Sequence, residues 1–436
     1  MSSRLSVARG AAALATSQLI APVLQAAQLV VVSRFVSPAE LSDWVVPAVL
    51  LAGESLLLEL GLHAVLARRP LLDDDQLARR WAATATAGHV IVLVLGAIVG
   101  APWTALALAI LPVAPLSAIA AVGRARLAHA DRFARVARLE LEAATAATSV
   151  VCALVAGIGV GALAAGAVVR ASYLMLRVQS APRHGIERTT ARRREAHLVI
   201  ASYAFVFIAG NADYALAIHL LPHSALGVYF VAFNIAAAPA TRVGLAANRM
   251  IVARLGVQDP QRVAATLLVV GTIATAAVCA AAPLLPTLLG DAWRSAVEPV
   301  RVLASVVTAV IVGNGLRGIA IARRRDRRVL VGSSIAAGLT VLAVLTVGPS
   351  TATDLARTVA VAQLASLAPW VWALDRETRR AVATAVAWTT VISGGLLVAA
   401  WGDSALTIPL SVAAAILVLA SHRSLARDAI RSFTAR

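Results

Sequence analysis

The sequence predicts an all-α, polytopic membrane protein with about fourteen transmembrane helices, and three observations lead to this prediction. Hydrophobic residues make up 60% of the chain and charged residues 14%, with a mean hydropathy of +0.82. A soluble domain has roughly 45–50% apolar and about 25% charged residues. Apolar stretches of about twenty residues, the length that crosses a bilayer as a helix, also recur along the chain. Finally, the loops between them alternate between rich and poor in basic residues.

Each apolar stretch is bounded by a turn or a charged segment, so each predicts one helix. The first stretch is longer than the apolar part of a signal peptide, and no small-residue cleavage pattern follows it, so we expect it to be retained. The predicted spans lie at about residues 11–32, 43–66, 81–100, 104–122, 141–158, 160–178, 198–220, 226–248, 263–282, 299–320, 329–348, 355–374, 381–402 and 405–421.

The placement of the basic residues predicts the topology. All 39 are arginine, and most of them lie on the side that holds both chain ends. The exceptions are Arg34, Arg294, Arg301 and Arg357 on the other side, and Arg170, Arg242 and Arg317 within spans. Because arginine-rich loops stay in the cytoplasm, we expect a multi-pass protein of the cytoplasmic membrane with both termini inside. The net charge of +17 is then explained by topology and by contact with membrane lipids, and we expect no nucleic-acid partner.

An internal repeat predicts two lobes. A shift of about 185 residues places the predicted outer turn at residues 35–44 on the turn at residues 220–229. The two copies are separated by an even number of spans, so both enter the membrane in the same direction. This is a parallel, pseudo-two-fold repeat, a plan found among transporters. The predicted organisation is a six-helix lobe at 1–178, a basic cytoplasmic linker at 179–197, a second six-helix lobe at 198–374, and two further helices with a tail at 375–436.

Short motifs in the same regions resemble a known family. Residues 34–42 (RFVSPAELS) resemble a family pattern Arg-x-Leu-x-x-Pro-Glu-x-Phe-Gly, and differ from it at the closing Phe-Gly. Residues 59–62 (ELGL) are similar to an Asp-Leu-Gly-Leu motif at the end of span 2. Residues 211–213 (NAD), 225–229 (ALGVY) and 289–293 (LGDAW) follow in family order and spacing. Over residues 10–375, roughly, the chain resembles the polysaccharide (O-antigen-type) flippases, relatives of the lipid II flippases and of the multidrug and toxin extrusion (MATE) transporters.

The resemblance implies a transporter that moves a polyprenyl-pyrophosphate-linked saccharide across the cytoplasmic membrane by alternating access, for cell-surface polysaccharide biosynthesis. It also implies contact with a polysaccharide polymerase or with glycosyltransferases. A multidrug or cation antiporter of the same superfamily is the main alternative. A membrane-embedded polymerase or glycosyltransferase is a third reading, but the predicted outer loops are short for such an enzyme. The sequence has no Walker lysine motif, and we expect neither a cofactor nor enzymatic activity.

Ionisable residues inside spans are the candidate site residues, because a charge at the bilayer centre costs about 2.5–3.5 kcal/mol. An anionic head group needs cations and amides, and the guanidinium binds phosphate oxygens bidentately. The predicted head-group residues are Arg170, Arg242, Arg317, Asn234 and Gln25. For ion coupling, the candidates are Asp213 and Glu59, where a bound proton or sodium ion would cancel the carboxylate charge. The alternatives are ion pairs or hydrogen bonds between helices, and snorkelling of Arg317 to the interface.

Overall fold

The computed structural model describes residues 20, 24, 26–54, 74–129, 132–178, 193–251, 259–402 and 406–421. The regular elements in these ranges are helical, and the described residues contain no strand. The chain divides into two compact units, Met1–Phe207 and Ile208–Arg436. An all-α architecture is therefore confirmed. The division into lobes predicted above, with its linker at 179–197, stays a prediction.

The described residues of the first unit form a set of helices. Its helices are α1 (Ala26–Phe35), α2 (Pro38–Ser42), α3 (Val45–Glu54), α4 (Asp74–Ile98), α5 (Thr104–Ile110), α6 (Val113–His129), α7 (Phe133–Ile158), α8 (Gly161–Val178) and the first part of α9 (Arg193–Leu220). The short helix α2 begins at the predicted outer turn with a capping box. The Ser37 hydroxyl accepts a hydrogen bond from the Glu40 backbone N–H, and the Glu40 carboxylate accepts one from the Ser37 backbone N–H at 2.8 Å.

Small residues allow α7 and α8 to pack closely. A Cβ atom on Gly166 of α8 would lie 2.5 Å from Val151 Cγ2 and 3.2 Å from the Ala147 backbone oxygen of α7. Helices in a membrane gain stability from such close backbone approach, because the bilayer provides no hydrophobic force between them. The α7–α8 hairpin and the neighbouring α6 form the packed core of the first unit.

The described residues of the second unit contain the rest of α9, two 3₁₀ segments (Ala282–Leu284 and Asp291–Ala296) and ten further α-helices. They are α10 (His223–Met250), α11 (Pro260–Ala281), α12 (Leu285–Leu289), α13 (Val297–Ala304), α14 (Val307–Ala322), α15 (Asp326–Val347), α16 (Ala352–Ala365), α17 (Leu367–Ala373), α18 (Arg376–Gly402) and α19 (Thr407–Ser421). Helix α14 lies at the centre, because it packs against α10, α11 and α18 and buries most of its side chains.

The helices fit a multi-pass membrane protein. Within the described residues, seven helices are long and apolar enough to cross a bilayer, and α13 and α14 form a further candidate bent by 45°. Each of the fourteen predicted spans overlaps a described helix or a pair of helices. The membrane-spanning character is confirmed, while the number fourteen stays a prediction.

Several helices differ from the predicted spans in length and continuity. Helix α7 begins at Phe133 rather than near residue 141, because its charged first two turns are helical although they are not apolar. Span 10 is broken at Ser305, whose hydroxyl bonds to the Val302 carbonyl at 2.6 Å. Beyond the break, the Thr308 backbone N–H finds its acceptor in the Thr275 hydroxyl of α11 at 3.2 Å. Side chains thus satisfy backbone groups that the break releases.

Candidate functional site

Asp213 is buried at the contact between α9 and α10 in the second unit. Only 1% of the residue is exposed, and its Oδ2 accepts a hydrogen bond from the Tyr229 hydroxyl. Its Oδ1 is buried without a hydrogen-bond partner among the described residues, and the same holds for the Tyr214 hydroxyl. Buried polar atoms are nearly always paired in native proteins, so unpaired atoms of this kind require an explanation, such as a bound water, an ion or a proton.

The hydrogen-bond donor Tyr229 belongs to an aromatic cluster. The Tyr214 ring lies 5.5 Å from that of Tyr229, 5.8 Å from Phe230 and 5.1 Å from Phe233, measured between centroids. Asp213 itself is buried, and a carboxylate removed from water requires a partner that compensates its charge. Within the described part of the chain, the partner bonded to Asp213 is the neutral hydroxyl of Tyr229. A bound proton or small cation would supply the compensation.

Arg317 is buried in the central helix α14 of the second unit. Its exposure is 1%, and its guanidinium carbon lies 6.0 Å from the centroid of the Trp370 ring. A guanidinium over an indole face is stabilised by the ring quadrupole. In this conformation Arg317 therefore faces protein, and contact with a head group would require a change of conformation.

Arg170 differs from Arg317 because it is only half-buried. It lies on α8 in the first unit, and its Nε atom is buried without a hydrogen-bond partner in the described ranges. Asn234, on α10 of the second unit, is exposed and donates a hydrogen bond to the Phe230 carbonyl of its own helix at 2.8 Å. Both side chains thus keep some capacity to bind a ligand.

Three predicted site residues cannot be placed. Gln25 and Glu59 lie outside the described residues, and Arg242 belongs to α10 but its side chain is outside the described part. The described candidates are distributed over the two units, with Arg170 in the first and Asp213, Asn234 and Arg317 in the second. The head-group and coupling roles of all seven residues stay predictions.

A buried carboxylate–imidazole pair lies in the first unit. Glu54 Oε1 of α3 is 2.5 Å from His89 Nδ1 of α4, and the side chains are 7% and 1% exposed. The Nε2 atom of His89 is buried without a hydrogen-bond partner among the described residues. Among the described residues of this unit, a second buried contact joins Arg124 to Glu140 at 3.5 Å.

Glu142 organises a polar network near the start of α7. Its Oε1 accepts a hydrogen bond from Arg138 Nε at 2.7 Å, and its Oε2 accepts one from the Tyr173 hydroxyl at 2.7 Å. The Arg177 guanidinium lies 3.7 Å from the same carboxylate. Because the two arginines are exposed and the polar groups are mutually satisfied, we assign this network a structural role in the α7–α8 hairpin.

Comparison with known proteins identifies the family. The model of the family described as "Polysaccharide biosynthesis protein" matches residues 31–298. The chain belongs to the polysaccharide biosynthesis protein family. Comparison of the sequence with curated proteins finds no match.

Solved structures share the fold of this polysaccharide biosynthesis protein. The lipid II flippase MurJ in an inward closed conformation is similar over 94% of this chain and 99% of its own, with a TM-score of 0.67 and 8% identity. A eukaryotic MATE transporter is similar over 88% and 97%, with a TM-score of 0.58 and 13% identity. A MOP-superfamily transporter from Pyrococcus furiosus is similar over 89% and 96%, with a TM-score of 0.54 and 13% identity. The family resemblance seen in the short motifs is thus confirmed.

Sequence reasoning missed the partners of the buried charges in this family member. Asp213 and Tyr229 lie at equal distances on either side of the short turn at Leu221, so two antiparallel helices bring them to the same depth. This equal spacing from the turn could have predicted the Asp213–Tyr229 contact from the sequence. His89 was not predicted as a site residue, because a neutral imidazole in a span lacks the free-energy cost that marks a buried charge. Glu140 fell just outside the predicted span at 141–158, since that span omits the charged first turns of α7.

Proposed function

We propose that this protein is a flippase that moves a polyprenyl-pyrophosphate-linked saccharide across the cytoplasmic membrane by alternating access, for polysaccharide biosynthesis at the cell surface. Family membership supports a role in polysaccharide biosynthesis. The shared fold with a lipid II flippase and with MATE transporters supports transport rather than catalysis. The protein is accordingly proposed not to be an enzyme.

The guanidinium of Arg170 within a span, unpaired among the described residues, is the observation that best supports the substrate assignment. An arginine within a span costs free energy, and it is retained where it pairs with an anion or lines a polar path. Arg170 has neither an ion pair nor a hydrogen bond among the described residues, and its Nε is buried. A pyrophosphate offers the oxygen pairs that a guanidinium binds in two parallel hydrogen bonds. Arg242, Arg317, Asn234 and Gln25 are likewise proposed as residues that contact the head group.

Ion coupling is proposed at Asp213 and Glu59. Asp213 supports this proposal because it is buried beside a neutral hydroxyl, with one carboxylate oxygen lacking a hydrogen-bond partner in the described part of the chain. A proton or a sodium ion bound there would cancel the charge and favour one conformation of the carrier. Membrane lipids are further partners, and contact with a polysaccharide polymerase or glycosyltransferases belongs to the same proposal.

The proposed topology places both termini in the cytoplasm. The described loops agree in charge with the positive-inside pattern, since the turn between α14 and α15 contains three consecutive arginines, 323–325. The organisation proposed for the chain remains two parallel lobes, at 1–178 and 198–374, with the linker 179–197 and two additional helices in 375–436.

The proposal is tested by transport in proteoliposomes. A fluorescent polyprenyl-pyrophosphate-linked saccharide is placed in one leaflet, and its arrival in the other is followed with an impermeant glycosidase. Wild-type protein should accelerate the arrival, and Arg170→Gln should lower the rate at least about tenfold. Arg80→Gln removes an exposed arginine of the same unit and should leave the rate within about twofold.

Two results would contradict the proposal. If the Arg170→Gln variant is folded and transports at the wild-type rate, Arg170 does not bind the head group. Wild-type protein that exports an organic cation against a gradient and does not move the lipid-linked saccharide would instead identify a drug exporter. Folding of each variant is checked by size-exclusion chromatography and by thermal unfolding in detergent, so that a loss of transport is not confused with a loss of structure.

A further inference from the structure

We propose that Glu54 and His89 form a proton-binding site of the first unit, and that this pair takes up one proton when it is buried and releases it when it is hydrated. The inference rests on the proposed transport function and adds to it the identity of one coupling ion and the residues that bind it. The pair is distinct from Asp213, which belongs to the second unit.

Both residues of the pair lie near the middle of an apolar span. His89 lies near the middle of the apolar part of α4, Ala82–Ile98. Glu54 lies near the middle of the predicted second span, at about residues 43–66. Two neighbouring spans therefore place a carboxyl and an imidazole at the centre of the bilayer, where an isolated charge is costly.

The two side chains are in direct contact and are buried. Glu54 Oε1 and His89 Nδ1 are 2.5 Å apart, and the side chains are 7% and 1% exposed. Neither carboxylate oxygen of Glu54 has a geometrically formed hydrogen bond in the described ranges, and the same is true of His89 Nε2. The two groups consequently depend on each other for charge compensation, and one proton held at their contact leaves the pair with no net charge.

The titratable groups on the neighbouring elements lie mainly near helix ends. Helices α3 and α4 both pack against α5 and α6. α5 contains no titratable side chain, and α6 contributes Arg124, Arg126 and His129 near its end, where Arg124 contacts Glu140. On α4 itself, the first two turns contain Asp74, Asp75, Arg79 and Arg80, far along the helix from His89. Phe207 of α9 packs on Gly53, and the titratable residue one turn before it is the buried Tyr203. Glu59 and His63 lie outside the described residues.

Charge balance then determines what the pair binds. In water at pH 7 a glutamate with a pKa of about 4.3 and a histidine with a pKa of about 6.5 hold little bound proton, so the hydrated pair has a net charge near −1. In an apolar interior the state with one shared proton has zero net charge and is favoured over states of −1 or +1. Closing the protein around the pair therefore takes up one proton, and opening it to water releases that proton.

The chemistry of the pair selects a proton over a metal ion. Hard cations such as Ca²⁺ and Mg²⁺ are bound by several oxygen ligands. Glu54 contributes the only carboxylate of the contact, its nearer oxygen is directly against an imidazole nitrogen, and groups of three or more His, Cys, Asp or Glu side chains suited to a metal are absent from the described residues.

Transport under an imposed pH gradient tests the site. Flipping of the lipid-linked saccharide is measured with and without the gradient for wild type, Glu54→Gln and His89→Gln. We expect the gradient to accelerate wild type and to have no effect on either variant, so that the ratio of the rates with and without the gradient falls to about one in both. Glu377→Gln and His219→Gln make the same replacements at exposed positions and should respond to the gradient as wild type does.

A second measurement does not require transport. Infrared spectra of the reconstituted protein are recorded across about pH 5 to pH 8, where histidine titrates. The difference spectrum of wild type minus the Glu54→Gln variant should contain a pH-dependent carboxyl band. In the His89→Gln variant this band should appear at a shifted frequency. If no such band is found, or if both variants keep the gradient response, the proton site is wrong. A wild type that transports without responding to pH also overturns the site but leaves the flippase proposal intact. A wild type that shows the band and does not transport leaves the site intact and overturns the flippase proposal.

Discussion

The phenol of Tyr229 donates a hydrogen bond to the carboxylate of Asp213 across the contact between α9 and α10. Both residues are buried, at 0% and 1% exposure. Because the donor is neutral, the hydrogen bond satisfies one lone pair of Asp213 without compensating its charge. The remaining oxygen has no hydrogen-bond partner in the described ranges. The hydrogen bond thus holds the Asp213 carboxylate in place and leaves its negative charge unbalanced. A residue that binds a coupling ion requires both properties.

Replacing Asp213 by Asn tests its coupling role. Asn keeps the volume and an acceptor for Tyr229 but removes the charge that a proton or sodium ion would cancel. We expect Asp213→Asn to lose its response to the gradient of the coupling ion and to bind the lipid-linked saccharide within about threefold of wild type. Proton and sodium gradients are imposed separately in proteoliposomes. An unchanged response to both gradients would exclude Asp213 from coupling, and Glu59→Gln is examined in the same way.

Replacing Tyr229 by Phe tests the hydrogen bond itself. The change leaves the Asp213 carboxylate in an apolar environment without its described partner, so we expect the free energy of unfolding to fall by about 1–3 kcal/mol. Thermal unfolding in detergent measures the change. Tyr173→Phe is the matched control, because Glu142 keeps its hydrogen bond from Arg138 and lies at a more exposed position. Equal stability of Tyr229→Phe and wild type would show that the bond contributes little.

Asp375, at the start of α18, contributes to the free energy of unfolding in a pH-dependent way. The backbone N–H of Thr378, at 2.8 Å, and the guanidinium of Arg323, at 3.1 Å, lower the pKa of Asp375 from 3.8 to about 2. Since the folded-state pKa is the lower one, the stabilisation is complete above pH 3.8 and is lost as the pH falls through about 2.

We therefore expect Asp375→Ala to lower the free energy of unfolding by about 1–2 kcal/mol at neutral pH, because both the helix cap and a partly screened ion pair are lost. Asp375→Asn retains a capping acceptor and should have a smaller effect. The difference between Asp375→Ala and wild type should decrease between about pH 4 and pH 2. Asp291→Ala, which breaks an exposed contact with Arg294, is the control and should change stability by less than about 0.5 kcal/mol. A difference that does not change with pH would contradict the assignment.

Cysteine labelling tests the topology. In a Cys152→Ala, Cys279→Ala background, single cysteines replacing Ser37, Ser224 and Asp403 should react with an impermeant thiol reagent in intact cells, whereas one replacing Thr190 should react only after permeabilisation. Ser37 and Ser224 are both exposed, so their reactivity reports the side of the membrane rather than burial. Labelling at Thr190 in intact cells would overturn the proposed orientation.

The sequence by itself determined the membrane-spanning, all-α character of this protein and the approximate positions of its helices. The reason is physical: in a bilayer every backbone polar group must be paired within its own helix, so a stretch of about twenty apolar residues has one structure available to it. The same reasoning identified Arg170, Asp213 and Arg317 as residues of interest, since the cost of a charge rises with its depth in the bilayer, and the position within the span predicts that depth.

Only the tertiary structure decided which side chains meet. The contacts of Glu54 with His89, of Asp213 with Tyr229 and of Arg317 with Trp370 depend on how each helix is rotated and packed. That rotation is set by the fit of small and large side chains between helices, as at Gly166 against α7, and not by the hydropathy of any single segment. The break at Ser305 was likewise decided by packing, because the hydroxyl of Thr275 on a neighbouring helix receives the backbone N–H that the break releases.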